Sequence, residues 1–189
     1  MGLLDAILGG RKKLTTANAD RLFAMSTAQV TLETSLGMKS RGVAAICFQQ
    51  IANADFKQVV SDAQELLQSA AKDTGTKLED ADDDYGFRWI VFRDGDFDDL
   101  VTSVNTVAGE LQAGGYGDRI LAAIFAWDDS GRQVNFIYNF KRGYFYPFVP
   151  TRNKERDTES ELRLKAQLQQ DMPFEPELER WFPLWDAPV

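Results

Sequence analysis

The chain of 189 residues contains no histidine and only one cysteine, Cys47. Without histidine it cannot form a Ser-His-Asp triad, a Cys-His pair or an imidazole general base, and most zinc sites are excluded as well. One cysteine cannot form an internal disulfide, so nothing indicates an oxidising compartment. Cys47 lies in the apolar run 43–48. That run is typical of a buried strand, so we interpret the thiol as a small core side chain rather than a nucleophile.

Long hydrophobic runs and excess positive charge are also missing. No apolar run approaches the roughly 20 residues that cross a bilayer. The N-terminus lacks the pattern of a signal peptide, so we expect a cytoplasmic protein. With 21 basic against 29 acidic residues the net charge is −8, which argues against nucleic acid as a partner. The 44% of hydrophobic residues suffice for a core of ordinary size.

Residues 1–13 differ from the rest of the chain. We separate this amphipathic N-terminal segment from an α+β domain at 14–150 and from a helical, aromatic C-terminal extension at 151–189 that packs on the same domain. The N-terminal segment has four aliphatic residues at helical spacing, then two glycines and three cations. The candidate membrane or partner contacts are Leu3, Leu4, Ile7, Leu8, Arg11, Lys12 and Lys13.

Simple energetics leave two readings of the N-terminal segment open. Against lipid or a partner, each aliphatic side chain would contribute about 1.5 kcal/mol and each cation about 1 kcal/mol. Ordering so short a segment costs about 1 kcal/mol per residue. Binding would therefore be marginal and reversible. The other reading, of equal weight, is that the segment folds onto its own domain.

Hydrophobic periodicity predicts the remaining elements. We expect helices at 18–25, 55–70, 97–113 and 151–170, strands at 30–34, 42–48, 85–92, 120–127, 134–140 and 144–150, and an acidic loop at 79–84. Asp, Ser and Gly at 128–131 predict a hairpin turn. The pattern indicates an α+β fold in which a mainly antiparallel sheet is packed on one face by two long helices, with a C-terminal helical tail.

The acidic runs at 79–84 and 94–98 have the alternating carboxylates that begin a calcium loop. Neither run continues as such a loop, which needs glycine at its sixth position and glutamate at its twelfth. For the first run those places hold Tyr85 and Val91. The second run precedes a helix, where carboxylates cap and complement the helix dipole. We therefore predict no metal site, no catalytic residue and no cofactor.

Two aromatic clusters remain. Around 141–146, two cations precede three aromatic residues, and near the end of the chain aromatic residues flank a proline. These clusters are either an interaction surface or packing elements. The candidates for this interaction or structural signature are Lys141, Arg142, Tyr144, Tyr146, Trp181, Phe182 and Trp185.

Three stretches, 84–89, 141–148 and 180–185, carry a resemblance when taken in this order and spacing. Together with the opening 1–9 and the strand 42–48, they make the chain resemble the PspA-associated protein PspAB family over nearly its whole length. The resemblance implies association with the membrane-stress protein PspA and with HtpX-type zinc metalloproteases. It implies no catalytic residues.

We therefore expect a non-enzymatic accessory or adaptor protein of a PspA-type envelope-stress response, located peripherally at the inner face of the membrane. The expected partner is a PspA-family coiled-coil protein or an HtpX-type protease, with a reversible membrane-surface contact. Two alternatives stay open. One is a histidine-independent hydrolase or nucleotide-binding enzyme that uses carboxylates, and the other is a small secretion-chaperone-like binding module.

Overall fold

The computed structural model describes residues 19–83 and 86–189. The N-terminal segment, with the contacts predicted in it, lies outside these residues. The helices are α1 (Ala24–Thr34), α2 (Ala54–Thr74), α3 (Phe97–Ala113) and α4 (Thr158–Leu168). The strands are β1 (Lys39–Gln49), β2 (Lys77–Asp82), β3 (Phe87–Arg93), β4 (Ile120–Asp129), β5 (Arg132–Asn139) and β6 (Tyr144–Phe148). Short 3₁₀ turns lie at Ala19–Phe23, Gly117–Arg119 and Leu178–Arg180.

The six strands form one sheet in the order β2-β3-β1-β4-β5-β6, and every neighbouring pair is antiparallel. The centre of the sheet is buried on both sides: residues 43–48 of β1 and 120–127 of β4 have no exposed position. In a strand, alternate side chains point to opposite faces. Both faces of this sheet are therefore covered.

Helices α2 and α3 cover the first face. α3 packs directly on β1 and β3, and α2 packs on α3. The Asn53 side chain caps the start of α2, and Gly75 follows its end. Asp96 caps α3 by accepting from the N–H of Asp98 at 2.9 Å. The expected α+β architecture with an antiparallel sheet is thus confirmed, as is a helix near the C-terminus.

The prediction of a strand at 30–34 is wrong, because these residues form the end of α1. Met25, Ala28 and Leu32 follow the helical period and are buried, whereas Val30 is 62% exposed. The alternation of Val, Leu and Thr in 30–34 is also typical of a half-buried strand. Burial of Met25, Ala28 and Leu32 on one stripe of the helix decides the structure instead.

The acidic stretch at 79–84 was predicted as a loop, and this is wrong for residues 79–82, which belong to β2. β2 is an edge strand whose residues pair with β3 from Lys77↔Arg93 to Asp82↔Arg88. Charged side chains are unfavourable inside a sheet but common on an exposed edge, where they discourage pairing with other chains. The carboxylates are matched by cations on β3: Glu79 pairs with Arg93 at 3.4 Å.

The predicted hairpin turn at 128–131 is confirmed between β4 and β5. Ser130 and Gly131 both have positive φ, 55° and 89°, as a two-residue hairpin turn requires. The Gly131 N–H donates to Asp128 Oδ1 at 2.9 Å. Pro147 lies in β6, the other edge strand, which confirms that a proline confines this segment to the sheet edge.

After β6 the chain forms α4 and then an irregular tail, defined here as residues 173–189. α4 packs beside β6 and buries Ser160, Glu161, Leu164 and Leu168. Within residues 19–83 and 86–189, no helix has both the length and the apolar character needed to cross a bilayer.

Candidate functional site

The cation-aromatic cluster forms the connection between β5 and β6, and residues 141–146 are called the corner below. Asn139 shapes it: its Oδ1 accepts from the N–H of Lys141 at 3.0 Å and of Arg142 at 3.3 Å. Lys141 is half-buried near Asp118 and Arg119, and burial lowers its pKa from the ordinary value. The backbone of the corner is therefore held by side-chain hydrogen bonds before the aromatic residues begin.

Arg142 connects the corner to the tail. Its Nε donates to Glu175 Oε2 at 2.6 Å and its Nη2 donates to Glu175 Oε1 at 2.9 Å, a bidentate pair. The Glu175 side chain is only 2% exposed, and its hydrogen bond raises the pKa of Arg142. Next to it, Phe145 donates to Pro173 O and accepts from the Glu175 N–H, both at 2.8 Å. The tail thus adds to the outer edge of β6.

Trp181 lies on the second face of the sheet, the face opposite α2 and α3. Its ring stacks on Tyr146 with a centroid distance of 6.4 Å and an interplanar angle of 21°. Its Nε1 donates to Glu175 O at 3.0 Å, and its carbonyl accepts from Arg156 Nη1 at 2.5 Å. Burial raises the pKa of Tyr146 well above the ordinary value. The side chains of Trp181 and Tyr146, with the indole N–H and the phenolic hydroxyl that they carry, are therefore buried inside the protein.

A second arginine-carboxylate pair supports the same region. Arg156 Nε donates to Glu161 Oε2 at 2.9 Å, and the Val149 N–H donates to Glu161 Oε1 at 2.9 Å. The Glu161 side chain has no exposed surface. Burial raises its pKa, while the bonds from Val149 and Arg156 act in the opposite direction. Glu161 therefore joins α4 to the end of β6 and, through Arg156, to Trp181.

The end of the tail continues across the second face. Trp185 meets Phe148 edge to face at 4.8 Å, and the Val189 carbonyl accepts from Gln133 Nε2 at 3.4 Å. Phe182 is half-buried. Leu184, Trp185, Ala187 and Val189 are partly buried side chains packed on this face.

The structure thus brings together the two aromatic clusters, which lie 35 residues or more apart in the sequence. Within the corner, Arg142 is bonded to Glu175 of the tail and Tyr146 stacks on Trp181, whereas Tyr144 lies beside Arg142 and Trp185 contacts Phe148 just beyond the corner. The structure also places the start of the described chain there, because Arg21 lies 5.6 Å from the centre of the Tyr144 ring and donates to Gly143 O at 3.4 Å. The corner is therefore where Arg21, near the start of the described chain, and the beginning of the tail meet.

Sequence reasoning missed the residues that hold these parts together, Arg156, Glu161 and Glu175. Each stands in a charged stretch that looks solvated. For Glu161 the one available signal is its helical spacing with Leu164 and Leu168, the stripe that α4 buries, whereas its neighbours Glu159 and Leu162 are exposed. Arg156 and Glu175 are identified by their long-range partners, Trp181 and Arg142.

The acidic runs have structural partners. Gln64 Nε2 donates to Asp80 Oδ1 at 2.8 Å, and Thr76 Oγ1 donates to Asp94 Oδ2 at 2.5 Å. Among the described residues, no cluster of three or more potential metal ligands occurs. A cavity of about 170 Å³ lies between β4, β5 and α4, lined among others by Leu36, Val134 and Arg163. A groove of about 230 Å³ between α2 and α3 is lined by small and aliphatic side chains such as Leu66 and Thr102.

Comparison with known proteins gives one result. A family model described as PspA associated protein B, PspAB, matches residues 1–189, the whole chain. No curated protein and no solved structure matches the chain.

Proposed function

Because the chain belongs to the PspA associated protein B family, we propose that it is a non-enzymatic adaptor that binds PspA close to the cytoplasmic surface of the membrane. The observation that carries the proposal is the family match over all 189 residues, whose description names association with PspA. A role in the membrane-stress response, contact with an HtpX-type protease and peripheral location at the membrane belong to the same proposal.

The geometry of the corner argues against a contact with a second protein there. Arg142 is occupied by Glu175, and Tyr146 and Trp181 stack on each other inside the protein. Side chains committed to internal partners leave little for a second protein to bind. We therefore assign the corner and the tail to packing, and the contact to the N-terminal segment.

The described chain next to the N-terminal segment offers a matching apolar surface. Phe23 is 44% exposed and Val30 is 62% exposed. Phe23 is the last residue of the 3₁₀ turn that leads into α1, and Val30 lies about two turns later in α1. A coiled-coil partner presents apolar side chains at this same spacing, so helix-on-helix contact fits both surfaces.

Co-purification from native membranes tests the proposal. The full chain, tagged at its C-terminus, should retain PspA, and Leu4→Asp combined with Ile7→Asp should reduce the retained PspA by about tenfold or more, because two buried anchors are lost. Leu162→Asp changes an exposed leucine of α4 and serves as the matched control. Failure of the unaltered chain to retain PspA would overturn the proposal, as would retention of PspA by the doubly substituted chain.

A further inference from the structure

Helices α2 and α3 pack on each other and leave a groove of about 230 Å³ between them. An added Cβ at Gly114, just after the end of α3, would lie 2.8 Å from Val59, near the start of α2. Residues 66–74 of α2 face residues 99–106 of α3 across the groove. The two helices therefore run in opposite directions, and the groove lies between the second half of α2 and the first half of α3.

The groove has the shape that another helix needs. Its walls include the small side chains of Ala70 and Ala71 on α2 and of Ser103 on α3, which let a third backbone approach closely. Leu66 lies on the wall of α2 and is 51% exposed. At 1.5 Å per residue the lining stretches of α2 and α3 span about 10 to 12 Å, or two helical turns. This length matches two anchor side chains seven residues apart on a partner helix.

Carboxylates border the groove on both helices. Asp99, in the first turn of α3, lines it directly. On α2, Asp62 and Asp73 lie four residues before and seven residues after Leu66, so they share its side of the helix. Asp62 accepts from the neutral side chain of Gln58 at 2.7 Å. In the part of the chain that the structure describes, none of the three carboxylates forms an ion pair.

The cations of this region point away from the groove. α3 contains neither lysine nor arginine. On α2, at about 100° per residue, Lys72 and Lys57 lie about 120° and 180° around the helix from Leu66. On β2, Ala81 packs on the second face of the sheet, and alternate residues share a face, so Lys77 points there as well. The carboxylates at the groove are thus not neutralised by these cations.

The charge of this surface selects among its possible occupants. Burial, followed by the charges of Asp94, Asp96 and Asp98, raises the pKa of Asp99, and a cation in the groove would favour its ionised form. α2 has four carboxylates and two cations and α3 has three carboxylates, a net charge of −5. The same surface of a second copy and an anionic membrane would both be repelled, whereas a cationic partner would be attracted.

We propose that the groove between α2 and α3 is the docking site of a basic amphipathic helix of a partner protein. The helix lays two large apolar side chains beside Leu66 and over the small residues of the walls. Its lysine or arginine residues face Asp99 on one side and Asp62 and Asp73 on the other. This surface shares no residue with the N-terminal segment, so the inference stands or falls independently of PspA binding.

A synthetic helix tests the inference. The probe is a fluorescein-labelled peptide of about 18 residues, with leucine on one helical stripe and lysine or alanine elsewhere. A second peptide with glutamate in place of every lysine is the charge control. Fluorescence anisotropy during titration with the full-length protein measures Kd. The lysine peptide should bind with a Kd on the order of micromolar, and about tenfold or more tighter than the glutamate peptide.

Two pairs of substitutions locate the binding. Ala70→Trp fills the groove and should weaken binding about tenfold or more, whereas Ala166→Trp, at an exposed alanine of α4, should not. Asp99→Lys should weaken binding to a similar extent. Glu159→Lys makes the same change of net charge in the first turn of α4 and should change Kd less than about twofold. Thermal unfolding confirms that each variant remains folded.

Several results would overturn the inference. Equal weakening by Asp99→Lys and Glu159→Lys would reduce the attraction to net charge, and unchanged binding by Ala70→Trp would place the peptide outside the groove. Equal affinity for the two peptides would contradict a preference for a basic helix. Much tighter binding by a variant lacking residues 2–13 would make the chain's own N-terminal segment the occupant. Self-association that Ala70→Trp abolishes, measured by analytical ultracentrifugation, would make the occupant a second copy.

Discussion

Glu161 and Glu175 are carboxylates with almost no exposed surface, and each is held by one arginine. A buried charge is expensive unless it is paired and hydrogen-bonded. Arg142 makes two bonds to Glu175, while Glu161 is bonded by Arg156 and by the backbone of Val149. The position of the tail thus depends on two buried ion pairs, Arg142–Glu175 and Arg156–Glu161.

Arg142→Met should lower the free energy of unfolding by about 3 kcal/mol, because Glu175 would remain buried without its partner. Adding Glu175→Gln should recover part of this loss, since the uncompensated charge disappears. Urea unfolding followed by tryptophan fluorescence measures both. Arg180→Met, which removes an exposed pair with Glu177, is the control and should change little. Equal losses for Arg142→Met and Arg180→Met would contradict the role given to Glu175.

Gly42 lies at an irregularity of β1, between Ser40 and Val43 in the pairing with β4. Its φ is +67°, and an added Cβ would lie 2.8 Å from the carbonyl oxygen of Asp94. Gly42→Ala should therefore destabilise the protein by about 2 kcal/mol or more, since both the dihedral angle and the backbone contact oppose it.

Gly109→Ala is the matched substitution. Gly109 lies inside α3, and nothing stands within 4 Å of an added Cβ. Because alanine favours the helix, stability should rise by about 0.5 to 1 kcal/mol. The midpoint temperature of unfolding should fall for Gly42→Ala and rise for Gly109→Ala. A lower midpoint in both variants would contradict the open space around Gly109.

At the scale of elements, the helices α2 and α3 could be predicted because local signals agree. Their apolar period, the caps Asn53 and Asp96, and Gly75 all indicate the same boundaries. α1 and β2 could not, because tertiary packing overrides local preference there. The side of α1 that is buried depends on α3, and β2 is a strand because β3 offers an open edge.

The N-cap of α4 gives a pH-dependent prediction. Asp157 accepts from the hydroxyl of Ser160 at 2.6 Å and from its N–H at 3.0 Å. These bonds lower the pKa of Asp157 below its ordinary value of 3.8. A group whose pKa is lower when folded stabilises the protein above the unfolded pKa, and this stabilisation is lost as pH falls through the folded pKa.

Asp157→Asn keeps a capping oxygen but removes the charge. The wild type should be more stable than this variant at pH 7, and the difference should shrink as pH falls below 3.8. Asp157→Ala should cost about 1 kcal/mol at pH 7 because the cap itself is lost. Urea midpoints between pH 3 and 7 measure both differences. A wild-type advantage over the asparagine variant that grew towards low pH would contradict the assignment.

At the scale of the whole molecule, the candidate site could be predicted only in pieces. The corner and the tail were recognised as aromatic clusters, but their contact depends on Glu175, which has no sequence signal. Residues of the tail pair with β6 and so cover the backbone at one edge of the sheet. At the other edge, charged side chains of β2 discourage pairing with another chain. The sheet is thus protected at both edges by different means.

The proposed membrane contact depends on the charge of the N-terminal segment, which carries Arg11, Lys12 and Lys13 within a chain of net charge −8. Vesicles containing anionic lipid should therefore sediment the full-length protein, and added salt should weaken the effect by screening the three cations.

Vesicles of neutral lipid are the control, and a variant lacking residues 2–13 should sediment with neither lipid. If this variant still sediments with anionic vesicles, the contact with lipid does not use the N-terminal segment. Leu4→Asp combined with Ile7→Asp separates the two contributions within the segment. If binding survives this double substitution, the contact rests on the cations Arg11, Lys12 and Lys13 alone, whose attraction of about 1 kcal/mol each is too weak for stable anchoring.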